Sequence, residues 1–64
     1  MRKYYSLLIR EDGRWTMQFG GYVKAVVMQE RRDSYGSVKG KDWCVVCTGD
    51  RQEEIVAKVK KLNQ

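Results

Sequence analysis

The sequence predicts a small α+β domain in the order ββαβα, in which a three-stranded sheet carries two helices packed on one face. Three observations support this fold class. Two segments near the start of the chain alternate like strands around a turn, residues 42–48 alternate in the same way, and the C-terminal segment has helical periodicity. The chain of 64 residues contains no repeat and no linker, so we expect a single domain spanning residues 1–64.

The first two strands are predicted to form a hairpin. Residues 3–10 and 15–19 alternate, and Gly13 between them can adopt a positive φ. Facing residues of an antiparallel pair lie on the same face of a sheet, so the register should bring the two apolar faces together. A three-residue loop, residues 11–13, achieves this, whereas a two-residue turn at Asp12 and Gly13 would mix the faces. The predicted pairs are Ile9 with Trp15, Leu7 with Met17 and Tyr5 with Phe19.

A helix is predicted from Tyr22 to about Ser34, after the glycine pair that ends the hairpin. Its valines lower the helix propensity, whereas its length and its charged end favour a helix. Residues 35–41 contain two glycines and a serine and are predicted to form a loop.

The remaining elements are a strand and a helix. Residues 42–48 predict a third strand, which can lie beside either the first or the second strand. The last helix has the clearest start, because Asp50 is a suitable N-cap and Glu53 completes a capping box. Its apolar face consists of Ile55, Val56, Val59 and Leu62.

The two cysteines have the spacing C-x-x-C, which raises the question of a redox or metal site. In a strand, Cys44 and Cys47 point to opposite faces, and their Cα atoms are roughly 10 Å apart at about 3.3 Å per residue. A disulfide needs roughly 4.4 to 6.8 Å. A structural zinc site needs four Cys or His ligands, and this chain has no histidine. We therefore expect two free thiols that pack as small apolar residues, with no metal and no cofactor.

The composition argues against catalysis. The chain has no histidine, which is the commonest general base and metal ligand in proteins. Each carboxylate has an ordinary structural position in a turn, on a helix or at the start of a helix. No phosphate-binding loop is recognisable. We therefore expect this chain to be a binding protein and not an enzyme. The chain has no apolar run long enough for a membrane span or a signal peptide, so a cytoplasmic location without membrane contact is expected.

The positive charge of the chain suggests nucleic acid as one class of partner. The formal net charge is +5 and the pI is about 9.5, which favours encounters with polyanions if the charge lies on one face. The alternative is a solvated surface that serves solubility. The candidate nucleic-acid-binding residues are Arg31, Arg32, Lys39 and Lys41, with Tyr35 as a stacking ring.

Strand edges and surplus apolar surface suggest the other class, namely another protein or a second copy of this chain in a homodimer. A three-stranded sheet has two unpaired edges that can recruit a strand. Apolar residues on both faces of the third strand leave more apolar surface than one helical layer covers. The candidate partner-binding residues are Tyr4, Leu8, Tyr35 and Trp43. Protein binding is the function we expect, with nucleic-acid binding as the alternative.

Two segments resemble known groups of proteins. The stretch YYSLLIREDGRWTMQFGGY and the closing TGDRQEEIVAKVKKLN are similar to small uncharacterised proteins of bacterial and phage or prophage genomes. The hairpin and the strand leading to an acidic helix start also resemble the HicB antitoxin family, from which this chain departs by a helix and basic loop at residues 22–41. Neither resemblance implies a functional residue.

Overall fold

The structure is a computed structural model that describes residues 2–64. It contains three strands, β1 (Lys3–Glu11), β2 (Arg14–Gly21) and β3 (Trp43–Gly49). Two α-helices, α1 (Lys24–Ser34) and α2 (Gln52–Leu62), follow β2 and β3 respectively. A single turn of 3₁₀ helix, Gly40–Asp42, leads into β3. The predicted α+β class and the order ββαβα are confirmed.

The three strands form one antiparallel sheet in the order β2-β1-β3. This answers the question that the sequence left open, because the third strand lies beside the first. The central strand is apolar on both faces and is buried over residues 6–9, whereas β2 and β3 are the outer strands of the sheet.

The hairpin turn differs from the prediction. Asp12 and Gly13 both have positive φ, 54° and 77°, and the register pairs Arg10 with Trp15. This is a two-residue turn with the twist that suits a hairpin, so the predicted three-residue loop and its pairs were wrong.

A two-residue turn was predicted to pair apolar residues of one strand with polar residues of the other. A β-bulge in β2 removes this mismatch. The register shifts between Leu7 and Leu8, because Leu8 pairs with Met17 and Leu7 pairs with Phe19, which leaves Gln18 as the extra residue. Met17 therefore shares the face of Leu8, and Phe19 shares the face of Leu7. The strand β2 supplies apolar side chains to both faces of the sheet.

The two helices lie on opposite faces of the sheet, where a single helical layer was expected. On one face, Val27 of α1 packs with Leu7 and Ile9. On the other face, α2 lies near Met17, and Lys58 of this helix is close enough to Cys44 to affect its ionisation.

This arrangement explains the apolar residues on both faces of β1. Leu7, Ile9 and Val27 form the buried core of the α1 face, and Tyr35 and Trp43 are among the half-buried side chains around them. Leu8 is fully buried on the α2 face, which also holds the buried Ile55 of α2. The surplus apolar surface inferred from the sequence is mostly the contact area of this second helix.

The start of α2 also differs from the prediction. The N-cap residue is Arg51, and no side chain caps the helix, so the predicted capping box is not formed. The Asp50 carboxylate instead accepts a hydrogen bond from the Tyr22 hydroxyl at 3.4 Å. Glu53 and Glu54 still lie in the first turn and Lys60 and Lys61 in the last, as the helix dipole favours.

Candidate protein-binding surfaces

The outer edge of β3, residues 43–49, is the first candidate surface, and we call it the β3 edge. Its sequence, WCVVCTG, contains no charged residue and no proline. It pairs with β1 over all seven residues without a bulge, and no other strand within residues 2–64 pairs with its second side. Every second residue therefore directs its backbone N–H and C=O away from the sheet, as in any edge strand. The β3 edge is a regular, uncharged template for another strand.

The start of β3 is held in place by its neighbours. At the start of the strand, Asp42 forms an ion pair with Arg10 at 3.0 Å, and the same guanidinium donates to the Lys41 carbonyl at 3.0 Å. The Arg31 guanidinium lies over the Trp43 ring, 4.5 Å from its centroid. The start of β3 is thus fixed from both faces, which makes the edge a preorganised binding surface.

The cysteines lie on this strand as free thiols. Cys44 pairs with Leu8 and Cys47 pairs with Tyr5, so the two point to opposite faces, as predicted. Burial raises the pKa of the Cys44 thiol above its usual value, and the nearby Lys58 cation lowers it by a smaller amount. Cys47 is exposed. No group of three His, Cys, Asp or Glu side chains in residues 2–64 is placed to hold a metal ion.

The edge of β2 is built differently. The Trp15 backbone N–H donates to Oδ1 of Asn63 at 2.7 Å, and Nδ2 of Asn63 donates to the Trp15 carbonyl at 2.9 Å. Because Asn63 follows the last residue of α2, this side chain joins the end of the helix to the outer side of β2. The bulge at Gln18 interrupts the same edge further along.

A groove between α2 and β2 is the second candidate surface, and we call it the α2 groove. Its volume is about 540 Å³, and apolar side chains form its floor. Two cations, Arg14 and Lys60, also line it. The apolar residues of the floor are Met17, Ile55, Val56 and Val59.

The five predicted nucleic-acid-binding residues differ in their exposure. Arg31 covers Trp43, and the Tyr35 ring packs against the core of the α1 face, so both side chains are half-buried. The Arg32 guanidinium donates to the Gln29 side chain at 2.9 Å and is exposed. Lys39 and Lys41 are exposed in the segment before β3.

The predicted partner-binding residues are also spread over the molecule. Leu8 is fully buried beneath α2, so its place on an exposed surface was wrong. Tyr4 is half-buried and makes an edge-to-face contact with Tyr22, with ring centroids 5.1 Å apart. Trp43 is half-buried at the start of the β3 edge, and Tyr35 lies on the same face, in the core.

Sequence reasoning named Trp43 and the apolar residues of the last helix, but it did not identify the β3 edge or the α2 groove as surfaces. For the β3 edge the sequence held a signal, because residues 43–49 contain no charge and both strand orders that the sequence left open place this strand at an edge. The role of Asn63 had no signal, since it depends on where the end of α2 meets β2. Val56 was assigned to the apolar face of the last helix, and it lines the α2 groove together with Ile55 and Val59 while remaining 52% exposed.

The comparisons with known proteins add no further information. No family model matches the chain, and no curated protein or solved structure is significantly similar to it. The resemblances seen in the sequence therefore stay predictions. None of the helices within residues 2–64 is both long enough and apolar enough to cross a membrane.

Proposed function

We propose that this chain is a non-enzymatic protein-binding module that pairs its β3 edge with an extended, uncharged segment of another polypeptide. The observation that carries the proposal is a regular seven-residue edge strand with no charged residue, which within residues 2–64 is paired with another strand on one side only. Natural sheets protect such edges with lysine, proline, bulges or covering elements. The β3 edge has none of the first three.

The chemistry of such a contact follows from the strand. Main-chain hydrogen bonds supply affinity, and alternate side chains of the added strand choose their neighbours by shape and polarity. On one face those neighbours are Trp43, Val45 and Cys47, and on the other they include Cys44 and Val46. A partner segment with small apolar or β-branched residues at alternate positions fits both rows, since such pairs stabilise neighbouring strands by roughly 0.2 to 1 kcal/mol each.

Binding of a labelled peptide tests this proposal. The probe copies residues 42–50 with serine in place of both cysteines, so that it offers an uncharged extended core and cannot form disulfides. We expect saturable binding by fluorescence anisotropy, and a scrambled peptide of the same composition serves as the control. Cys47→Lys places a charge on the β3 edge at an exposed position and should weaken binding about tenfold or more, which corresponds to about 1.4 kcal/mol.

A matched variant on the other edge separates this effect from charge alone. Gln18→Lys introduces the same cation at an exposed position of β2, and it should leave the peptide affinity unchanged. Equal binding by the parent and the Cys47→Lys variant would show that the β3 edge is not the binding surface. Circular dichroism of both variants confirms that the fold is retained.

Nucleic-acid binding is the second candidate, supported by the net charge of +5 and by the exposure of Arg32, Lys39 and Lys41. This function predicts retention on a polyanion matrix that falls steeply with salt. Replacing these three cations by Gln should remove the retention. A triple variant retained as strongly as the parent would refute a role for this segment.

A further inference from the structure

Helix α2 has a row of residues on the side that faces the α2 groove, which we call the stripe, and its two central members, Val56 and Val59, are apolar. Gln52, Val56, Val59 and Asn63 follow one another at spacings of four, three and four residues, and all of them line the groove. This is the spacing at which one helix packs along another. Val56 is 52% exposed, and Met17 on the opposite wall is 39% exposed. These apolar side chains are therefore only partly covered by the rest of residues 2–64, which leaves this side of α2 open to contact with a second helix.

The charges around the groove restrict what that helix can be. Arg14 and Lys60 line the groove towards the end of α2, and its lining within residues 2–64 contains no Asp or Glu side chain. A helix with carboxylates at the end that meets these two cations is therefore favoured over a neutral or basic one.

Helix α2 itself has this charge distribution. Glu53 lies in its first turn and Lys60 in its last, and both are exposed. They are seven positions apart, about two helical turns, so they lie on the same side of the helix. In an antiparallel pair of α2 helices, Glu53 of each copy faces Lys60 of the other, and the two-fold axis passes near Val56, the most exposed apolar residue of the stripe.

We infer that a second copy of this chain docks its α2 into the α2 groove, forming a two-fold antiparallel dimer. The same surface is used by both copies, as in most homodimers. This inference goes beyond the proposed function, because the dimer uses the side of α2 next to β2 and leaves both β3 edges free. A dimer of this kind presents two strand-binding edges and can bind a partner with two suitable segments by avidity.

The area buried between the two α2 helices indicates how tightly the two copies should bind. Two helices of eleven residues bury less than the roughly 800 Å² per partner of a standard interface. We therefore expect a dissociation constant of about 10 µM or weaker, with dimers forming as the concentration rises.

Charge exchange between the copies tests the inference on the full chain. Glu53→Lys gives a copy with two cations at these positions, and Lys60→Glu gives a copy with two carboxylates. In sedimentation equilibrium from about 10 µM to about 1 mM, each variant alone should dimerise at least about tenfold more weakly than the parent. An equimolar mixture should dimerise at least as well as the parent, because both contacts across the axis are then between opposite charges.

Two controls separate this interface from other causes. Lys61→Glu makes the same charge change at the neighbouring residue, which lies on the other side of α2, and it should leave dimerisation unchanged. Cys47→Lys should also leave it unchanged, so failure of this inference is distinguishable from failure of the β3 edge proposal. A parent chain that is monomeric at about 1 mM, or a mixture that associates no better than the single variants, would overturn the inference.

Discussion

The two outer strands of the sheet, β2 and β3, solve the same physical problem in opposite ways. Each has one row of backbone groups that the sheet does not pair. On β2, Asn63 occupies the outward N–H and C=O of Trp15, and a bulge at Gln18 interrupts the edge. On β3 the row is regular and uncharged over residues 43–49.

This difference shows that a small sheet can have one outer strand whose edge is protected from pairing and another whose edge is not. The Asn63 side chain closes part of the β2 edge, whereas the contacts at the start of β3 hold that strand in place without covering its edge. An edge that is both rigid and open is suited to strand addition, since little order is lost when a partner binds.

Removing the side chain that closes β2 should have the largest effect on stability. Asn63→Ala deletes both hydrogen bonds to the Trp15 backbone, each worth about 1 kcal/mol, so we expect a loss of about 2 kcal/mol in the free energy of unfolding. For a chain of this size that corresponds to a fall in Tm of roughly 10 °C. Urea and thermal denaturation measure both quantities.

The neighbouring residue provides a control for Asn63→Ala. Gln64 is exposed, and Gln64→Ala should change stability by less than about 0.5 kcal/mol. If both variants were equally stable, the amide of Asn63 would not hold the edge of β2.

The hairpin turn should have the next largest effect, because it sets the register and therefore the bulge of β2. Gly13 has φ 77°, which an alanine adopts only at a cost, so Gly13→Ala should destabilise the chain by about 1 kcal/mol. Asp12→Asn, which creates the Asn-Gly pair that this turn favours, should be neutral or slightly stabilising. A chain in which Gly13→Ala costs nothing would contradict the two-residue turn.

The two faces of β3 should differ in thiol reactivity by several-fold. Cys47 is exposed, whereas burial raises the pKa of Cys44 and so lowers its thiolate fraction at a given pH. With iodoacetamide near pH 8, mass spectrometry of the digested protein should find Cys47 modified first. Because the pKa of Cys44 is raised, its rate should continue to increase with pH beyond the usual range of a thiol. Equal rates in the folded protein, matching those in urea, would contradict the placement of Cys44 under α2.

The sequence predicted the elements of the fold well and their relations less well. The alternation at residues 43–48 placed the two cysteines on opposite faces, and the structure confirms this. The turn was mispredicted because matching faces near Trp15 favoured a longer loop, whereas the bulge at Gln18 lets β2 change faces. A bulge of this kind depends on packing against helices on both sides, which periodicity within one strand does not report.

The positions of the helices show the same limit. Leu8 and other apolar residues of its face indicated a second apolar face, which was interpreted as an exposed surface for partners. The correct interpretation needed the path of α2 across that face, and this path depends on contacts between distant residues, such as Asn63 with Trp15. Of the candidate surfaces, the uncharged β3 edge could be read from the sequence, and the α2 groove could not.

Amide hydrogen exchange followed by NMR tests the central claim most directly. In the free chain, alternate amides of residues 43–49 should exchange rapidly because they point away from β1, while the Trp15 amide stays protected by Asn63. Adding the peptide that copies residues 42–50 should protect those alternate β3 amides and leave Trp15 unchanged. Alternate β3 amides that are already protected in the free chain, or that remain unprotected when the peptide is saturating, would contradict the account.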